Sequence, residues 1–76
     1  MEIIYEILTE LHPEYDFSDN GGTIDEGVLD SFDLISLVTM LEERFNIMID
    51  ALEIVPEHFR SVEEISKLVR NSGGTV

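Results

Sequence analysis

The sequence predicts an all-α fold: a four-helix bundle of three main helices and one short helix, with a long loop between the first two. Three observations carry that expectation. Apolar residues recur at steps of three and four in three separate stretches. Ser, Asp and Pro start signals stand where the later helices begin. No two alternating segments pair convincingly as strands. Length sets the scale. A chain of 76 residues has a folded surface of roughly 4,700 Å² against roughly 12,500 Å² when extended. That allows one thin core, and a deep catalytic cleft built within this chain alone is not expected. A hydrophobic share of 43% is enough for such a core and argues against wholesale disorder.

Residues 2–12 read as an amphipathic helix, with Ile3, Ile4, Ile7, Leu8 and Leu11 on one side and Glu2, Glu6 and Glu10 on the other. Pro13 disfavours helical geometry at His12 and closes the element. Residues 13–29 form the long connection. Ser18-Asp19-Asn20-Gly21-Gly22 is strong turn chemistry, and Phe17, Ile24, Val28 and Leu29 are apolar enough to pin the loop to the helices. Residues 31–45 carry the best helical stripe, Leu34, Leu37, Val38, Leu41 and Phe45. Asp30 or Ser31 caps it, and Asp33 suits the positive end of its dipole. Phe32 and Ile35 fall off this stripe and are expected on an otherwise polar face.

Residues 46–54 read as an extended, partly buried linker through Ile47, Ile49, Leu52 and Ile54. Pro56 suits the first position of a short helix, Pro56-Glu57-His58-Phe59. Ser61-Val62-Glu63-Glu64 has the form of a capping box, and Ile65, Leu68 and Val69 give the last helix its buried face. Residues 1–70 are expected to form the domain and 71–76 a flexible C-terminal tail.

Charge narrows the function classes. With 17 acids and 4 bases the net charge is −13. Residues 1–43 hold 12 of the acids and no Lys or Arg. This half repels nucleic-acid backbones and anionic lipid and attracts basic protein surfaces. There is no cysteine, which excludes disulfides, thiolate metal sites and a thiol nucleophile supplied by the chain. Acids at the N-terminus and the lack of a long apolar run fit a cytoplasmic protein that does not insert into membranes.

Leu29-Asp30-Ser31-Phe32-Asp33-Leu34 places a hydroxyl at a helix start, after a long loop, between acids. An ordinary N-cap accounts for it. A handle for modification by another enzyme also accounts for it, since a helix start holds a hydroxyl at the surface and suits an attached phosphate. No His is close in sequence to serve Ser31 as a base, which argues against a serine hydrolase. His12 and His58 read as isolated surface histidines.

The motif Asp30-Ser31-Phe32-Asp33-Leu34, with Leu37, Val38, Leu41, Glu42, Glu43 and Phe45 behind it, resembles the attachment segment of acyl and peptidyl carrier proteins. The amphipathic first helix, the long loop and the late Ser-Val-Glu-Glu-Ile helix resemble the same family, over roughly residues 2–70. Ile54-Val55-Pro56-Glu57-His58-Phe59-Arg60 resembles a segment of D-alanyl carrier proteins and related stand-alone carriers. Ser36 stands where fatty-acid carriers usually have an acid, and Phe32 where they usually have Leu or Met, which speaks against a housekeeping role in fatty-acid synthesis.

The resemblance implies an acyl-carrier-like bundle that is not itself an enzyme. A phosphopantetheinyl transferase would use Mg²⁺ to attach 4′-phosphopantetheine to Ser31, and the arm's thiol would carry an acyl or aminoacyl group as a thioester. Asp30, Asp33, Glu42 and Glu43 match the family's acidic docking positions, and Phe32 and Ile35 its apolar ones. The implied partners are the transferase and an adenylating ligase or acyl-transferring enzyme, the chain acting as a monomer. Leu37, Ile49, Ile54 and Phe59 are better read as core than as the lining of a chain-sequestering space.

Two other readings stay open. Asp16, Ser18, Asn20 and Gly21 match the opening of a calcium loop over residues 16–27, but Gly27 stands where a bidentate Glu is needed. An acidic helical adaptor with Ser31 unmodified would keep the fold and drop the arm.

Overall fold

Three α-helices form where the apolar periodicity places them in the computed structural model, which describes residues 2–18, 22–25 and 27–75. They are α1 (Glu2–Leu11), α2 (Ser31–Phe45) and α3 (Val62–Asn71). Two short 3₁₀ helices, Ala51–Glu53 and Pro56–Phe59, lie between α2 and α3. No strand occurs among the described residues; one isolated antiparallel bridge joins Thr23 to Ser61. Among the described residues no helix is long and apolar enough to cross a membrane.

α1 packs against both α2 and α3, and Pro56–Phe59 packs against α3. The shared core follows the predicted stripes: Ile4, Ile7 and Leu8 of α1, Leu37, Val38 and Leu41 of α2, and Ile65, Leu68 and Val69 of α3 are buried. Phe17 and Ile24 bring the long loop into that core, while Val28 and Leu29 pack at its margin. Ile49 and Phe59 bring in the second connection. Leu37, Ile49 and Phe59 are thus core, with Ile54 partly buried against them. The total accessible surface is 4822 Å², close to the surface scaling expected for this mass.

The loop is held by backbone as well as by side chains. The Ile24 N–H donates to the Arg60 carbonyl at 2.7 Å beside the Thr23–Ser61 bridge. Gly22 is buried at φ 91°, and a Cβ there would lie 2.8 Å from the Tyr5 hydroxyl. The left-handed backbone is what calls for glycine at this position, since the Tyr5 hydroxyl is the far end of its side chain. The remaining turn residues of that run, Asp19, Asn20 and Gly21, lie outside the described residues.

Several local expectations are corrected. Ile3 is on the predicted apolar side of α1 but sits at the helix end, where it is left partly exposed. The linker 46–54 is not simply extended: Asp50 accepts from the Leu52 N–H at 2.9 Å and starts the 3₁₀ turn, which turns Leu52 out to solvent. Ser66, a polar residue, is fully buried on α3 because its hydroxyl donates to the Val62 carbonyl at 3.0 Å, within its own helix.

Candidate functional site

Asp30, not Ser31, is the N-cap of α2. Its carboxylate accepts from the Asp33 N–H at 2.8 Å, and the Asp33 carboxylate accepts from the Asp30 N–H at 3.2 Å. This reciprocal pair satisfies helix-start donors that would otherwise be left open. It also resolves the ambiguity between the two candidate caps. Ser31 is the first residue of the helix, exposed, and its hydroxyl makes no hydrogen bond with a described residue.

Other serines are differently placed. The Ser18 hydroxyl donates to Asp16 at 2.6 Å. Ser61 caps α3 by accepting from the Glu64 N–H at 3.1 Å. Ser66 is buried. Ser36 is half-buried within α2. Ser31 alone among these combines exposure, a helix start and an uncommitted oxygen.

His12 and His58 are not the isolated surface histidines expected from the sequence. The His12 Nε2–H donates to Asp33 Oδ2 at 2.9 Å, and the pair ties the end of α1 to the start of α2 across 21 residues. The Asp33 carboxyl is held below the usual carboxylate range. The His12 hydrogen bond is the main cause, partial burial opposes it, and the Asp30 N–H adds to it. The His58 Nδ1–H donates to the Glu53 carbonyl at 2.7 Å. Each imidazole thus holds a connection together, and neither bonds the Ser31 hydroxyl. Sequence spacing gave no signal for His12–Asp33, because the contact exists only once α1 and α2 pack.

The expected docking residues divide by position. Phe32 and Ile35 are 75% and 63% exposed, far above the usual state of large apolar side chains on a small protein. Asp30 and Glu43 are exposed near the two ends of α2. Asp33 is bonded inward to His12. Glu42 is partly buried and accepts from the Ile49 N–H at 2.8 Å, holding the chain where it leaves α2. Asn46 adopts the left-handed conformation there (φ 54°) and donates to the Glu42 carbonyl, a helix stop that Asn tolerates better than most residues.

Beside Ser31 opens a groove of about 540 Å³. Ser31 and Leu34 of α2, Ile24 of the long loop, and Pro56, Phe59 and Arg60 of the short helix and its end line it. Sequence periodicity did not reveal this groove, since its walls come from three separate segments. Among the described residues, no group of three His, Asp or Glu is placed to hold a metal ion. Asn20, Gly21 and Glu26 of the calcium-loop reading lie outside the described residues.

Comparison with known proteins gives two findings. The family model described as "Phosphopantetheine attachment site" matches residues 2–69. A protein of Bradyrhizobium diazoefficiens named Aminoacyl carrier protein 2 is 30% identical over 69 residues, covering 91% of this chain and 70% of that protein. No solved structure matches the chain with significance.

Proposed function

Because this chain belongs to the phosphopantetheine-binding carrier proteins, we propose that Ser31 is the residue that receives the arm and that α2 presents it to partner enzymes. Carriers of this family hold acyl intermediates as thioesters on covalent 4′-phosphopantetheine, which supplies the thiol that a cysteine-free chain lacks. The observation that carries the assignment is the exposed hydroxyl at the start of α2, released from capping by Asp30. The residues present fit the group. The oxygen is accessible, and a groove adjoins it.

The division of labour follows. His12 is committed to Asp33 and His58 to Glu53, so the chain holds no imidazole on the Ser31 hydroxyl as a base. We read removal of that proton as the transferase's task and positioning as the chain's. Carriers of this family work with phosphopantetheinyl transferases and acyl-handling enzymes. For this chain we read the loading partner as an adenylating ligase and the cargo as acyl or aminoacyl, the latter supported by the name of the Bradyrhizobium relative.

Phe32 and Ile35 supply an apolar contact flanked by Asp30 and Glu43, suited to a basic partner surface. Asp33 and Glu42 add charge from positions already bonded inward. The exposed charges act mainly on the association rate and its salt dependence.

Incubation with coenzyme A, Mg²⁺ and a broad-specificity phosphopantetheinyl transferase tests the assignment. The wild type is expected to gain one phosphopantetheine mass, and Ser31→Ala none. Modification of Ser31→Ala would move the site elsewhere. An unmodified wild type, beside a modified control carrier, would favour the acidic adaptor.

A further inference from the structure

We propose that His12 is a positioning residue for the modification of Ser31: through the Asp33 carboxylate it fixes the start of α2 in the geometry that a phosphopantetheinyl transferase takes up. This deepens the reading of Ser31 as the attachment residue and rests on it. The Ser31 hydroxyl makes no hydrogen bond with a described residue, so its place is set by the backbone around it. Upstream, Gly27 turns at φ 91° with no heavy atom within 4 Å of where a Cβ would stand. The Val28 N–H donates to the Asp25 carbonyl at 3.2 Å, and Val28 and Leu29 pack only at the margin of the core. The hold nearest to Ser31 is the capping box of Asp30 and Asp33.

That box depends on His12. Asp33 Oδ2 accepts from the Asp30 N–H at 3.2 Å and from the His12 Nε2–H at 2.9 Å. The imidazole makes the shorter bond and so holds the oxygen that the Asp30 N–H needs. Asp33 is also one methylene shorter than the Glu usual at this position of a capping box, which makes its reach back to the cap a long one. His12 is itself a fixed anchor. Its N–H donates to the Leu8 carbonyl at 2.9 Å, and its carbonyl accepts from the Tyr15 N–H at 3.2 Å. The His12 and Asp33 side chains are 24% and 17% exposed, better shielded from water than the Arg44–Glu6 pair. Glu14, the other carboxylate near the ring, lies 3.9 Å from Nδ1, beyond hydrogen-bond reach.

The restraint therefore runs from α1 through His12, Asp33 and Asp30 to Ser31. A site whose backbone is already ordered costs a partner less to bind. Loss of the His12 donor adds an ordering cost before binding and leaves the bound complex as it was, so it appears in KM rather than in kcat.

Wild type, His12→Gln, His12→Leu and Val69→Ala are compared as substrates of one transferase with coenzyme A and Mg²⁺, well below each unfolding midpoint. His12→Gln keeps an N–H donor near the Nε2 position, and His12→Leu keeps bulk without a donor. Val69 is fully buried on α3 and serves as the control for general destabilisation. His12→Leu is expected to raise KM for the carrier about 2- to 10-fold, the net worth of one hydrogen bond, with kcat unchanged. In the unloaded protein it is expected to lower the ¹⁵N order parameters of Asp30, Ser31 and Asp33. His12→Gln is expected to recover part of both effects. Val69→Ala is expected to lower the melting temperature with KM and these order parameters at wild-type values.

Wild-type KM and order parameters in His12→Leu would overturn the proposal and leave Ser31 standing as the attachment residue. An equal rise of KM in Val69→Ala, or a His12→Gln indistinguishable from His12→Leu, would do the same. If His12→Leu does not fold, His12→Asn, with its shorter side chain, takes its place under the same criteria. A wild type that gains no mass overturns the attachment reading itself, and this proposal with it.

Discussion

At Asp33 one carboxylate serves two ends of the chain. It closes the cap of α2 through the Asp30 N–H and accepts from His12 at the end of α1. Its pKa is depressed, chiefly by that His12 bond. A carboxyl with a lowered folded pKa contributes its full stability above the unfolded value, near pH 4. It loses that contribution as pH falls through the lower folded value. His12→Ala removes the main cause. The Asp33 carboxyl is then expected to titrate nearer its ordinary range, and the loss of stability below about pH 4 to be shallower. A carboxyl ¹³C titration with urea unfolding at several pH values measures both. Unchanged titration of Asp33 in the variant would mean that the contact is not formed in solution.

α2 has one face for each task. Leu37 and Leu41 are fully buried against the core, while Phe32 and Ile35 stand out on the opposite side. A helix can do this because residues three and four apart share a face. Leu37→Ala and Leu41→Ala are each expected to cost about 2–5 kcal/mol, from lost burial and the cavity left behind. Phe32→Ala is expected to leave stability within about 0.5 kcal/mol, as surface changes usually do. Urea unfolding of the three variants checks this. Near-wild-type stability for both leucine variants would mean that the helix is rotated.

Acidic self-repulsion acts on the whole molecule. Twelve acids lie in residues 1–43 without a Lys or Arg among them. Cross-helix relief by cations includes Arg44 reaching Glu6 of α1 at 3.5 Å. Salt screens like charges at these separations. The melting temperature is therefore expected to rise as sodium chloride is added from low ionic strength. A melting temperature unmoved by salt would remove repulsion as a significant destabilising effect.

The sequence by itself determined the helical class, the bounds of α2, the short Pro56 helix and the position of the hydroxyl at residue 31. These depend on neighbours within a few residues: Leu37 and Leu41 share a stripe and Pro56 starts a turn, whereas the choice of Asp30 over Ser31 as the cap of α2 came from the structure. Only the tertiary structure decided that His12 grips Asp33, that Leu52 faces solvent, and that Ile24 is bonded to Arg60. The groove beside Ser31 belongs to the same class, for Ile24, Leu34, Phe59 and Arg60 meet across three segments. Periodicity reports which side of a helix is apolar. It carries no information on which distant segment closes over that side, and that choice is made by packing the whole chain at once.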